Sequence, residues 1–336
     1  MKRLAYVVAL IGGLLVIGLI AHTGYRAVLN ALAIGGWNLL WLLPYHLCPI
    51  ALDAWGWRLL IVRPDPYRRA RWGVLTWIAL VREGVGRLLP VASVGGEIAG
   101  IRLLILRGVD GATATASVVV EVLISLLSQY LFTAIGVALL IILTQSNETT
   151  TQVLIGIALT CPAPIIVLLL LDNAGIFQRL ERFAERTLGG RSRLTQLLSG
   201  GATLDQEIEN VIAHRWRLAK ATVWQLLGMV SGSFEVWLAL HLLGHPVGVE
   251  TAVILESVTL TIRHLAFLVP GGLGVQEAGL MVFGQMLGLS NETALALSLI
   301  KRGRELVIGI PILLSWQIYE ARQLRSGHNG KRADSG

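Results

Sequence analysis

Long apolar stretches alternate with short polar segments along this chain. A bilayer-crossing helix needs about 20 mostly apolar residues, and six stretches fit: 4–20, 37–62, 115–143, 152–171, 218–243 and 293–319. Two further apolar regions, 72–107 and 250–288, are interrupted by proline, glycine and charged residues. The pattern predicts an all-α, polytopic bundle of transmembrane helices. We interpret 4–20 as a retained first helix, because it is longer than the apolar core of a usual signal peptide.

Lysine and arginine mark the loops expected on the cytoplasmic side. They concentrate in 63–71, in 172–217 and after 320, whereas 144–151 and 244–249 contain neither residue. Both termini are therefore predicted to be cytoplasmic. The predicted units are an N-terminal membrane half (1–171), a cytoplasmic amphipathic helical linker (172–217), a C-terminal membrane half (218–320) and a cytoplasmic tail (321–336).

Each interrupted region is predicted to begin and end on one side of the membrane. Helix 115–143 must end outside, because 144–151 is outside, so 72–107 starts and finishes in the cytoplasm. The same count makes 250–288 start and finish outside. Each region is then a re-entrant hairpin or a pair of short spans. We favour hairpins, because the arms are unequal and 97–107 is short.

The two interrupted regions resemble each other when the first is shifted by 180 positions. Seven identities then fall within residues 88–116. Proline and clustered glycine break both helices, at elbows formed by Pro90, Gly95 and Gly96 and by Pro270, Gly271, Gly272 and Gly274. Two units of opposite topology are typical of alternating-access transporters. The alternative is chance similarity between two apolar hairpins.

We therefore predict inverted repeats over 72–143 and 250–319. Broken backbone at membrane depth must face protein or a water-filled cavity, so we expect the elbows to meet around a polar cavity. Glu97 and Glu277 occupy the same repeat position. They could carry protons, or they could stabilise the N-terminus of each second arm, where a carboxylate is favourable.

Ionisable residues are frequent in the apolar regions, although each costs at least about 2.5–3.5 kcal/mol there. Three pairs share a helix face by their spacing: Glu83–Arg87, Lys301–Glu305 and Glu256–Arg263. Such groups are either structural ion pairs or contacts for a lipid headgroup, since arginine binds phosphate or carboxylate in bidentate fashion. The candidate substrate-binding residues are Arg87, Glu97, Arg102, Glu121, Arg263, His264, Glu277, Lys301, Arg302 and Glu305.

Composition narrows the function classes. The chain is 54% hydrophobic and 15% charged, against about 25% charged in soluble domains, which excludes an ordinary soluble enzyme. Its net charge of +7 reflects cytoplasmic loops and not nucleic-acid binding. The histidines and two cysteines have no metal-ligand spacing, and no catalytic motif is present. We expect no catalytic residue, metal or cofactor.

The sequence resembles a known family at the two elbows. RLLPVASVGGEIAGIRLLILRG and LVPGGLGVQEAGLMVFGQMLGLSNETALALSLIKRGRE are similar to the flippase-like membrane domain of lysylphosphatidylglycerol synthases and its stand-alone relatives. The likeness covers roughly 5–320 and is most specific at 87–97, 263–277 and 301–305. It implies a protein of the bacterial inner (plasma) membrane that flips or transports lipids. The second elbow is most similar to members associated with hopanoid biosynthesis.

The resemblance leaves three functions to weigh. The first is a translocator for a hopanoid or other isoprenoid lipid, or for an anionic phospholipid. The second is an intramembrane lipid-modifying enzyme that uses Glu97, Glu277 or His264 as acid or base. The third is a scaffold for a lipid-synthesis complex. No soluble aminoacyl-transferase domain is expected, so lysyl transfer is not implied, and the oligomeric state stays open.

Overall fold

The computed structural model describes residues 30, 33–63, 65, 67–89, 94–144, 201–265 and 274–333. Nine α-helices lie wholly within these ranges, which contain no β-strand, and they confirm the all-α prediction. A 3₁₀ helix, Gly36–Trp41, leads into the first of them. The helices are α1 (Leu42–Leu60), α2 (Trp72–Leu88), α3 (Val94–Leu106), α4 (Gly111–Thr144), α5 (Gly201–Ala213), α6 (Arg215–Leu242), α7 (Val249–Leu265), α8 (Val275–Met286) and α9 (Asn291–Ala333).

Two of these helices are long and apolar enough to cross a membrane, Gly111–Leu143 and Arg215–Leu242. At about 1.5 Å per residue, each exceeds the hydrocarbon thickness of about 30 Å. Apolar side chains also point outward in stripes at helical spacing on α4, α6 and α9: Leu131, Ile135 and Ile142; Val223, Leu227, Val230 and Phe234; Leu306, Ile310, Leu314 and Ile318. Such outward stripes fit contact with lipid.

Both interrupted regions are broken where the sequence predicts. Region 72–107 consists of α2 and α3, and region 250–288 consists of α7 and α8. The elbow residues Pro90, Pro270, Gly271 and Gly272 lie outside the described residues, as do the predicted spans 4–20 and 152–171, residues 145–151 of the predicted loop and most of the 172–217 linker. Gly274 precedes α8 with a φ of 79°. Gly95 and Gly96 lie inside α3.

The turns that follow the two broken regions have the same backbone. Gly108 and Gly288 are left-handed, with φ of 84° and 82°. The N–H of the next residue bonds back to the ending helix in both turns, from Val109 to Leu104 O at 3.1 Å and from Leu289 to Gly284 O at 2.8 Å. This is the usual glycine C-cap, and it accounts for one of the seven identities.

The helices after these turns also begin in the same way. The Thr113 N–H donates to the Asp110 carboxylate at 3.1 Å, and the Thr293 N–H donates to Ser290 Oγ at 3.3 Å. Asp and Ser are favoured caps because they satisfy these free N–H groups. The bond from Thr113 lowers the pKa of Asp110.

The two halves pack against each other through matching helix pairs. Helix α1 runs antiparallel to α6, with Tyr45 donating to Ser231 O at 3.2 Å. Helix α2 packs on α9, where Trp77 donates to Ser315 Oγ at 2.9 Å. Shifted by 180 positions, that pair falls on α7 and α4, which meet where Gly136 leaves room for Ser257. The internal similarity therefore extends from sequence to packing.

Candidate functional site

A cavity of about 370 Å³ lies between the two halves of the bundle. Five cationic side chains line it: Arg82, Arg87, Arg263, Lys301 and Arg304. Six carboxylates line it too: Asp53, Glu83, Glu97, Glu121, Glu235 and Glu256. Helices α1, α2, α3, α4, α6, α7 and α9 contribute these residues. Burying this many charged side chains in an apolar bundle costs free energy unless they are paired. The pairing of the charges therefore determines what the cavity can bind.

Arg82 on α2 ties both neighbouring helices to the cavity wall. Its guanidinium donates to Glu97 on α3 and to Glu121 on α4. The guanidinium also lies over the Trp57 ring of α1, 4.8 Å from its centroid, a favourable cation–π contact. Glu97 still has 31% of its side chain exposed, so this carboxylate is open to the cavity.

Two glycines let α3 approach Arg82 closely. A Cβ at Gly96 would lie 2.5 Å from the Arg82 carbonyl oxygen, and one at Gly100 would lie 2.7 Å from Arg82 Cδ. Neither glycine has a positive φ. Gly96 was predicted as part of the elbow, and in the structure its place is in this helix–helix contact.

Glu305 gathers three arginines from three helices. Arg87 on α2 donates to it, Arg302 on α9 donates at 3.0 Å, and Arg263 on α7 is within 3.5 Å. Arg87 also pairs with Glu83 at 2.9 Å, which confirms that i,i+4 prediction. Glu305 therefore joins the two halves through charge.

The other two ion pairs suggested by same-face spacing do not form in the structure. Lys301 does not pair with Glu305, and Glu256 does not pair with Arg263, because Lys301 of α9 donates to Glu256 of α7. Both side chains are nearly enclosed, with 5% and 10% exposed. Arg263 instead donates to Gln276 at 2.7 Å. In each case a partner on a neighbouring helix replaces the one on the same helix.

The repeat-related carboxylates have different surroundings. Glu97 lines the cavity, whereas Glu277 has no exposed surface and accepts a hydrogen bond from Arg302 Nε at 2.9 Å. The second Glu277 oxygen has no hydrogen-bond partner among the described residues. The two carboxylates thus occupy the same repeat position but differ in their access to the cavity.

The structure places six of the ten predicted residues in the cavity wall: Arg87, Glu97, Glu121, Arg263, His264 and Lys301. Glu277, Arg302 and Glu305 do not line it, although Glu305 and Arg302 bond to residues that do or to each other. Arg102 is elsewhere, in an exposed pair with Glu320. Its position on the outer side of α3 separates it from the cavity.

Seven titratable residues of the cavity wall are not among the ten predicted site residues: His46, Asp53, Arg82, Glu83, Glu235, Glu256 and Arg304. His46 of α1 lies 3.0 Å from Glu83 of α2 through Nε2 and 3.0 Å from Glu235 of α6 through Nδ1. Arg304 of α9 donates to the same Glu235. Asp53 lines the cavity with no hydrogen bond or ion pair to any residue that the structure describes. Their isolation in apolar sequence was the available signal, since ionisable residues at membrane depth are costly.

His264 makes a different contact. Its Nδ1 donates to the Leu260 carbonyl of its own helix at 2.8 Å, which leaves Nε2 for the cavity. Within the described ranges, no group of three or more His, Cys, Asp and Glu side chains is arranged to hold a metal ion.

Comparison with known proteins shows which family the chain belongs to. A family model described as the lysylphosphatidylglycerol synthase TM region matches residues 4–312. The chain belongs to this family. The match confirms the predicted resemblance and the membrane character, while the hopanoid-associated subgroup stays a prediction. No curated protein and no solved structure matches the chain.

Proposed function

We propose that this protein moves a lipid across the inner membrane, with the polar headgroup passing through the central cavity. The observation that carries the proposal is the charge-lined cavity between two similar halves of an apolar bundle. Charged side chains at membrane depth usually mark a substrate or ion pathway. A lipid headgroup needs such a polar route, whereas its acyl or isoprenoid chains can stay in the bilayer.

The matched halves support alternating access. Helices α1 and α6 are related by the 180-residue shift and run antiparallel, and the same shift places the α2–α9 contact on α7–α4. Two copies of opposite orientation would produce this arrangement. We therefore propose that the two broken regions enter from opposite sides as re-entrant hairpins. The Glu97 side chain is partly exposed, whereas Glu277 is fully buried. This asymmetry fits one end state of such a transporter.

The structure also supports the proposed orientation. Arg63 of the α1–α2 loop pairs with Glu207 of α5, and Arg69 donates to Gly108 O in the α3–α4 turn. These basic loops thus share one end of the bundle, which we propose faces the cytoplasm. The 244–249 segment lies at the opposite end of α6.

The charge pairing bears on the kind of lipid. Every cation in the cavity wall already contacts a carboxylate or an amide oxygen. An anionic phospholipid headgroup must therefore share these cations with the carboxylates or displace one of them. A hydroxylated headgroup, such as that of a polar hopanoid, can bond to the existing network without displacing it.

Purified protein in liposomes tests the proposal. Phosphatidylglycerol with a fluorescent acyl chain serves as one probe and a fluorescent hopanoid polyol as the other, and dithionite bleaching reports the outer leaflet. We expect accelerated movement of one probe, with loss of movement in Arg82→Gln. Lys220→Gln is the matched control, because Lys220 lies on the surface over Trp216. Movement no faster than in protein-free liposomes for both probes would contradict the proposal.

A further inference from the structure

One imidazole in the cavity wall bridges two carboxylates. His46 Nε2 lies 3.0 Å from Glu83 Oε2, and His46 Nδ1 lies 3.0 Å from Glu235 Oε2. The histidine is 8% exposed. Both distances are those of N–H···O hydrogen bonds.

Two hydrogen bonds at this bridge require one proton more than a neutral imidazole between two carboxylates supplies. A neutral imidazole has one N–H and one acceptor nitrogen, and an ionised carboxylate only accepts. Two carboxylates on one neutral imidazole therefore leave one nitrogen lone pair facing an oxygen lone pair at 3.0 Å. Both bonds form only if one more proton is present, on the imidazole or on one carboxyl group.

The bridge lies where the two halves meet. His46 and Glu83 belong to α1 and α2 of the first half, and Glu235 belongs to α6 of the second. The charged groups around it come from every neighbouring helix: Glu83 and Arg87 from α2, Glu121 from α4 across the cavity, Glu235 from α6, and Arg304 and Glu305 from α9. Asp53 lies two helical turns along α1 itself.

Loss of the proton would break one of the two links. The imidazole would keep a single N–H and bond to one carboxylate, while the other would face its lone pair. Glu83 would still hold Arg87 at 2.9 Å, and Glu235 would still hold Arg304. Each carboxylate would thus remain paired within its own contact, and only the connection between α2 and α6 through α1 would be lost.

We infer that the His46–Glu83–Glu235 bridge is a proton-binding site that couples lipid movement to the proton gradient. The inference rests on the proposed lipid transport and adds the coupling ion. One proton enters from water on one side of the membrane and closes the bridge between the halves. The same proton leaves to water on the other side when the bridge opens, so the gradient drives the cycle and no other reactant is needed.

The test measures lipid and proton movement together in the same liposomes. Fluorescent phosphatidylglycerol and the fluorescent hopanoid polyol report lipid movement, and a trapped pH-sensitive dye reports protons. We expect the wild-type protein to move protons whenever it moves either lipid. His46→Gln retains a hydrogen-bond donor but cannot take up a proton. We expect the number of protons that this variant moves per lipid to fall well below the wild-type ratio, and if it moves no lipid the wild-type ratio decides alone.

Two further variants separate the bridge from general damage. Glu83→Gln lets a neutral imidazole satisfy both neighbours, so its proton-to-lipid ratio should fall in the same way. His241→Gln is the control, because His241 stacks on Trp237 away from the cavity, and it should behave as the wild type does.

The outcomes distinguish coupling from transport. Lipid movement by the wild type without protons would overturn the coupling and leave the proposed transport standing. Proton movement at the wild-type ratio in His46→Gln would also overturn it. Failure of the wild type to move any lipid would overturn the proposed function and the coupling with it. If both bridge variants fail to fold, the wild-type proton-to-lipid ratio decides alone.

Discussion

Gly108 and Gly288 have nearly the same left-handed backbone, with φ of 84° and 82°, at positions 180 residues apart. Each lies in the turn between the second helix of a broken region and the long helix that follows. Side-chain chemistry around the two differs, since Gly108 lies beside the Arg69 guanidinium and Gly288 faces open space. At these two turns the halves therefore share their backbone path and differ in their side-chain surroundings.

Valine at Gly288 tests the conformational requirement alone. No atom of the residues that the structure describes lies within 4 Å of a Cβ at this position, so the left-handed φ is the main obstacle to a side chain. We expect Gly288→Val to lower the free energy of unfolding by about 1–2 kcal/mol, measured by thermal unfolding in detergent. Gly73→Ala is the control, because Gly73 lies in α2 with equally open space. An unchanged Gly288→Val protein would show that the turn adapts.

Alanine at Gly96 tests the contact that places Arg82. The new Cβ would approach the Arg82 carbonyl to 2.5 Å, and backbone cannot yield as a flexible side chain does. We expect α3 to shift away from α2, with slower lipid movement in liposomes and a smaller loss of stability. Gly303→Ala should leave both unchanged, because its Cβ meets nothing within 4 Å. Full transport by Gly96→Ala would remove the contact from the mechanism.

The Lys301–Glu256 pair predicts different effects of single and double changes. Removing one partner leaves a buried charge unpaired, which costs about 3–5 kcal/mol. We expect Lys301→Met to lower stability by that order, and Lys301→Met with Glu256→Leu to recover most of it. Thermal unfolding measures both proteins. A double variant as unstable as the single one would show that the pair is not an isolated unit.

Residue accessibility tests the orientation. In a protein without Cys48 and Cys161, Tyr67→Cys and His245→Cys place single thiols at opposite ends of the bundle. We expect a membrane-impermeant maleimide to label His245→Cys in intact cells and Tyr67→Cys only after lysis. Both side chains are exposed in the structure, so access to the reagent depends on the side of the membrane. The reverse pattern would invert the topology.

The sequence was sufficient for the helices because apolar length and interruption are local properties. The breaks at 72–107 and 250–288 and the repeat register follow from proline, glycine and the 180-residue shift. The helices keep this register, since α4 begins at 111 and α9 at 291, four and two residues before the predicted starts at 115 and 293. The side of the membrane on which each break opens is still a prediction.

The charge network could not be derived in the same way. Spacing along one helix correctly predicts the Glu83–Arg87 ion pair, but Lys301 pairs with Glu256 on another helix. In an interior of low dielectric, a charged side chain pairs with the nearest opposite charge, and the packing of the helices determines which charge is nearest. His46 illustrates the limit most clearly, because both of its partners lie on other helices.

If the headgroup passes through the cavity, a reversible block of the cavity must stop lipid movement. Gly86 lines the cavity, and a Cβ there meets nothing within 4 Å. We therefore expect Gly86→Cys, in the background without Cys48 and Cys161, to fold and move lipid. A benzyl methanethiosulfonate would then fill the cavity, and dithiothreitol would empty it again.

The decisive measurement is the rate of lipid movement by one Gly86→Cys preparation before modification, after it and after reduction. Gly303→Cys, with equally open space outside the cavity, is the matched control. We predict that modification stops movement in Gly86→Cys alone and that reduction restores it. Unimpaired movement by fully modified Gly86→Cys would contradict the account, because lipid would then cross by a path other than the cavity.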